Sequence, residues 1–171
     1  MTIHAEHPFL EPEEERDPVR RLRGRLGPTV SLWTTGTGDS RTGLTVSSMM
    51  VAGGEPGHAL ALVDPLSDLA TALGEGDVAV VQLLEWPHRS LADAFAGVAP
   101  APGGPFTLGD WVDTPWGPRL EGAPSWAGVR VVETREVGWS LLVDTEIEHV
   151  ELDEEAQPLV HRRGRYLPPR A

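Results

Sequence analysis

Apolar residues fall at two spacings along this chain, and the alternating or continuous spacing of β-strands dominates. Thr29-Val30-Ser31-Leu32-Trp33-Thr34-Thr35, Arg41 to Met50, His58-Ala59-Leu60-Ala61-Leu62-Val63 and Val78-Ala79-Val80-Val81-Gln82-Leu83-Leu84 are apolar runs bounded by Gly, Pro and Asp, the signature of strands. The last of these is apolar on both faces and predicts a central strand. Ala127 to Val137 and Trp139 to Val150, joined at Gly138, read as two more, followed by Pro158 to Arg162 and an Arg/Pro tail.

The helical spacing is confined to short pieces. Asp17-Pro18 opens the first, with Val19, Leu22 and Leu26 on one face and Gly27-Pro28 as its stop. Asp64-Pro65-Leu66-Ser67-Asp68 leads into a second through Leu69 to Leu73, broken at Gly74-Glu75-Gly76-Asp77. Arg89-Ser90-Leu91-Ala92-Asp93-Ala94-Phe95-Ala96 forms a third with Leu91, Ala94 and Phe95 inward. Gly97 to Gly104 is a loop, and Phe106 to Trp126 reads as a long irregular segment packed by aromatics, of the kind that serves as a lid or subunit contact. Many strands with a few short helices predict a mainly β fold, an antiparallel barrel with helical additions.

The 171 residues suit one domain or one protomer of a dimer. Residues 1–16, rich in Pro and Glu, are expected to form a flexible arm, 17–167 the domain and 168–171 a tail. There is no cysteine and no lysine, every base being Arg, which removes disulfides, thiolate chemistry and Schiff-base catalysis. A net charge of -12 argues against nucleic acid. No apolar run of about 18 residues and no leader pattern is present, so no membrane partner and a cytoplasmic location are expected.

The chemistry concentrates between Thr29 and Met50. Gly36-Thr37-Gly38-Asp39-Ser40 joins two strands, and the second ends in the hydroxyls of Thr45, Ser47 and Ser48. Such an exit can donate to a phosphate or a ring carbonyl, or simply satisfy its own turn. His58, His88 and His161 lie in separate segments without metal-ligand spacing. No Ser-His-Asp order, P-loop or dinucleotide-binding glycine fingerprint is visible.

Several segments in order carry a resemblance: Thr34-Thr35, Gly43-Leu44-Thr45-Val46-Ser47-Ser48-Met49, Gln82-Leu83-Leu84, Leu91 to Gly97, Gly122-Ala123-Pro124 and Pro158 to Tyr166. From about Thr29 to Tyr166 the chain resembles the flavin reductase-like family, whose fold is an FMN-binding split β-barrel. The resemblance implies a homodimer with a flavin near each side of the interface. It implies FMN, with FAD as an alternative, NAD(P)H as hydride donor and a partner monooxygenase for the reduced flavin. It carries over Thr45, Val46, Ser47, Ser48 and Met49 as contacts of the ring and ribityl chain. Ser67, Gln82, Leu83, Arg89, Ser90 and Phe95 are carried over around the ribityl and phosphate side, where a helix beginning at Arg89-Ser90 would face the phosphate. Ser90 either serves that phosphate or caps its helix.

Two departures qualify what the resemblance implies. Gln82 stands where the family often has Asn, and Gly138-Trp139-Ser140 where it often has Gly-Asp-His, the His being associated with the nicotinamide side. Ser140 in place of that His leaves flavin binding better supported than flavin reduction; the resemblance as a whole makes flavin reduction by NAD(P)H the first reading. Flavin or deazaflavin binding without reductase turnover is the second. Trp139 either packs in its turn, or stacks on a ring or closes the site from the partner subunit.

Overall fold

The computed structural model describes residues 18–171; the expected N-terminal arm lies outside the described residues. In chain order the elements are α1 (Pro18–Arg25), β1 (Ser31–Thr35), β2 (Thr42–Val46), β3 (Met49–Ala52), β4 (His58–Val63), α2 (Asp68–Ala72) and β5 (Val78–Leu83). They continue with α3 (Arg89–Phe95), β6 (Trp111–Thr114), β7 (Gly117–Leu120), β8 (Ser125–Val137), β9 (Ser140–Glu151), β10 (Val160–Arg162) and β11 (Arg165–Leu167).

Seven strands form one antiparallel sheet in the order β2-β1-β5-β8-β9-β4-β3. β2 and β3 hold its two edges, yet only Ser47 and Ser48 separate them in sequence. The sheet must therefore curl until its edges meet, which makes a barrel closed by chain continuity rather than by a β2–β3 ladder. The split barrel is thus the observed fold, and the single strand expected from Arg41 to Met50 is corrected: it leaves one edge at Val46 and joins the other at Met49.

Alternation along the strands divides the core. Trp33, Val46, Ala59, Ala61, Val63, Ala79, Val81, Val129 and Val143 point into the barrel, and Leu69 of α2 and Leu73 just after it plug it. β1 is buried along its whole length because its other face is also covered. Leu32, Leu84, Leu91, Ala92, Phe95, Leu120 and Leu159 form a second core there, beneath α3 and the β6–β7 hairpin. That hairpin corrects the irregular segment expected from Phe106 to Trp126, and the run after Arg162 holds one more strand, Arg165–Leu167 pairing back on Val160–Arg162. Val19, Leu22 and Leu26 of the first helix and its stop share a face as expected, but all three are exposed. No helix among the described residues is long and apolar enough to cross a membrane.

Candidate functional site

The seam at Ser47-Ser48 brings several of the sequence-predicted residues together. α3 runs antiparallel to β2 across it. The Thr45 hydroxyl donates to the Ala92 carbonyl at 2.5 Å, and Gly43 lies so close to Phe95 that an added Cβ would sit 3.0 Å from its ring. One helical turn before Ala92, Arg89 falls at the level where β2 runs out into Ser47, about 4.5 Å farther along the helix axis. On the other side the Leu62 amide donates to the Ser48 carbonyl at 2.9 Å, which places the Asp64–Ser67 turn after β4 beside the seam.

Within this frame the polar groups differ in what they have left to offer. Ser47 and Ser48 are half-buried, and neither hydroxyl has a hydrogen-bond partner among the described residues. Arg89 lays its guanidinium over the Trp86 ring, Cζ 3.6 Å from the centroid, and its Nη1 is shielded from solvent without a hydrogen-bond partner. A guanidinium fixed by an aromatic face and shielded at one unpaired N–H is set to receive an anion. Trp86 was not read from the sequence as part of the site; an aromatic three positions before an Arg at a helix start was its available signal. His88 stands next to it, its pKa lowered from the ordinary 6.5 by burial against a smaller opposing effect of Glu85; its Nδ1 accepts from the Glu85 amide at 3.0 Å.

Other predicted contacts are committed to the fold. Gln82 is fully buried; its Nε2 donates to Thr34 Oγ1 at 3.0 Å and its Oε1 accepts from the Leu120 amide at 2.6 Å, so it joins β1, β5 and β7 and does not face a ligand. Phe95 is likewise a core residue, edge-on to Phe106 and Trp111 at 5.0 and 5.7 Å. Val46 points into the barrel, and its carbonyl already accepts from the Ser31 hydroxyl at 2.7 Å. Ser67 caps α2, accepting from the Ala70 amide at 3.2 Å and donating to the Asp64 carbonyl at 2.6 Å. The capping alternative for Ser90 is corrected: His88 occupies the cap position and Ser90 is exposed inside α3. Leu83 and Met49 are half-buried, Leu83 ending β5 just ahead of the Trp86 turn.

The hairpin of β8 and β9 brings one more residue to this end of the barrel. Leu142 pairs with Leu62, Leu141 with Val63, and Val137 with Ser140 across the turn. The tip Gly138-Trp139 therefore stands beside the Asp64–Ser67 turn. Trp139 is 96% exposed, which corrects the expectation that it packs within its turn. His58, His88 and His161 lie on β4, before α3 and on β10, and no metal-holding group of His, Asp and Glu occurs among the described residues.

A ring-sized ligand with an anionic tail fits the donor set: two unpaired hydroxyls and backbone groups on the seam, and one shielded cation a helical turn from Ala92. Comparison with known proteins gives the family. The model of the flavin reductase like domain matches residues 23–169. The chain is 32% identical over 128 residues to an FMN reductase (NADH) RutF of Ancylobacter novellus, covering 74% of this chain and 70% of that one. It is 25% identical over 154 residues to a 4-hydroxyphenylacetate 3-monooxygenase reductase component of Pseudomonas aeruginosa, 89% of each chain. The fold resembles that of the NADH:FAD oxidoreductase SgcE6 of Streptomyces globisporus, with a TM-score of 0.78 at 22% identity over 92% of this chain and 94% of the other. The chain belongs to the flavin reductase-like family.

Proposed function

We propose that this protein binds FMN on the Thr45–Met49 seam and reduces it with NADH or NADPH, working as a homodimer that supplies reduced flavin to a partner monooxygenase. The observation that carries the reading is the unpaired, solvent-shielded Nη1 of Arg89 on α3, the helix that packs on β2 through Thr45 and Ala92, together with the unpartnered hydroxyls of Ser47 and Ser48 where β2 ends. Arg89 takes the phosphate in place of the absent lysine, while Ser47, Ser48 and the backbone around Met49 hold the ring edge and ribityl chain. The flavin, when bound, supplies the hydride-accepting ring. The protein orients it and shapes the entry for the donor. The relatives named as an NADH-dependent FMN reductase and as a monooxygenase reductase component support the donor and the partner.

The second reading, a flavin or deazaflavin binder without turnover, is favoured by Gly138-Trp139-Ser140, which places no titratable side chain at the hairpin tip. One experiment separates the two. Titration with FMN is expected to give saturable binding, and added FMN is expected to start steady NADH or NADPH oxidation. Binding without oxidation establishes the second reading, and no binding of FMN, FAD or deazaflavin overturns both.

A further inference from the structure

Arg89 is a half-buried cation in a chain with 26 acidic residues, yet among the described residues it forms no ion pair and no hydrogen bond. The Trp86 face, 3.6 Å from its Cζ, is what holds it. Shielding a cation from water costs stability unless a negative charge answers it, and two carboxylates stand at helical pairing distance in sequence, Glu85 four residues before and Asp93 four residues after. Both are engaged elsewhere. Glu85 Oε1 accepts from the Gln157 amide at 3.1 Å, beside the bridge from Glu85 to Pro158. Asp93, 7% exposed, lies within α3, and its Oδ1 accepts from the Tyr166 hydroxyl at 2.7 Å. Tyr166 is fixed in β11 opposite His161 of β10, whose ring meets it edge-on at 5.2 Å. Burial first, and the Asp93 bond second, raise the pKa of the phenol, so its proton stays in place to be donated. The aromatic seat is equally constrained. The His88 amide donates to the Glu85 carbonyl at 2.9 Å and the Glu85 amide to His88 Nδ1 at 3.0 Å, closing the turn that carries Trp86, which packs on the second core.

We propose that Trp86 and Tyr166 are positioning residues for the anion-binding Arg89: the indole fixes the guanidinium, and the phenol holds the Asp93 carboxylate away from it, so that the cation stays open to a phosphate. The inference rests on the flavin reading above. It locates the preference for a phosphorylated flavin in two residues that act through Arg89, one as its seat and the other as a restraint on its nearest competitor within the helix.

The test titrates the full-length protein with FMN and with riboflavin and reads the ratio of the two dissociation constants, because loosened packing weakens both ligands alike. Tyr166→Phe keeps the ring and removes the hydroxyl; the released Asp93 carboxylate is expected to pair with Arg89 and to lower the preference for FMN about fivefold, as a competing ion pair does. Adding Asp93→Asn to Tyr166→Phe removes the competing charge and is expected to restore the preference, which a merely structural role of the phenol would not allow. Trp86→Leu is expected to lower the preference by a similar factor, and Trp86→Phe to keep most of it. An unchanged ratio in Tyr166→Phe, or a double variant no better than Tyr166→Phe alone, overturns the role of Tyr166. Equal weakening of both ligands in Trp86→Leu, or an unchanged ratio, overturns that of Trp86, and the two Trp86 variants decide the matter if Tyr166→Phe does not fold. A wild type that binds neither flavin overturns the flavin reading first, whereas one that binds both equally leaves flavin binding standing and overturns the proposal.

Discussion

At the scale of single residues, what matters is how much bonding capacity each polar group keeps after folding. Thr45, Ser67 and Gln82 have spent theirs on Ala92, on the α2 cap and Asp64, and on the Thr34–Leu120 bridge. Ser47, Ser48 and Arg89 have not. This distinction was not legible in the sequence, because Thr45 and Ser47 share a strand spacing and a hydroxyl and differ only in the helix lying over one of them. The same blindness applied to Gln82: an amide at the end of a central strand reads equally as a ligand contact or a core bridge until β7 is placed against it. Arg89 admits a discriminating prediction. Arg89→Gln is expected to weaken FMN by about 10- to 100-fold, the worth of a hydrogen bond to a charged group, and to leave riboflavin, which has no phosphate, unchanged. Calorimetric titration with both ligands checks it, and an equal loss for the two would remove Arg89 from the phosphate.

Elements succeed or fail by their neighbours. β4, β5 and α3 were readable to within a residue or two, since each carries an uninterrupted apolar pattern between strong punctuation. The β6–β7 hairpin was not: Trp111 to Leu120 contains two prolines and little alternation, and it forms because Gln82 receives Leu120, and Trp116 lies flat on Gly128, where a Cβ would come within 2.2 Å of its ring. Trp116 also donates to Glu148 at 3.0 Å, the first cause of that carboxyl's lowered pKa, with Arg130 next. Non-local partners of this kind leave no local spacing to find. The packing of α3 on β2 can be probed at Gly43, where an added Cβ meets Phe95, Thr34 and the Trp33 carbonyl, each at 3.0 Å. Gly43→Ala is expected to cost about 1–3 kcal/mol, as overpacking in a filled core does, and to weaken FMN because Arg89 rides on the displaced helix. Urea denaturation reads the first effect, and an unmoved midpoint would mean α3 yields freely.

Across the whole molecule, stability responds to pH through pairs that bridge strands. Nδ1 of His58 lies 2.6 Å from Oδ1 of Asp144, joining β4 to β9, and this hydrogen bond raises the His58 pKa above its ordinary 6.5 against a smaller opposing effect of burial. A raised folded value means the protonated form is favoured by folding, so the contribution is complete below pH 6.5 and is lost as pH climbs through the raised value. His88, lowered by burial, acts in the opposite sense, gaining as pH rises. The prediction is therefore a difference: between pH 6 and 9 the wild type is expected to lose stability relative to His58→Gln, and parallel denaturation curves for the two would disprove the linkage. The barrel's topology has a consequence of another kind. β2 is laced to β1 and β3 to β4, but the two edges are held together by a short covalent span rather than by a ladder, so the barrel can gape there without breaking a single strand pairing. Breathing of the cylinder and access to the seam are then one motion, and a ligand seated across the gap acts as a stitch.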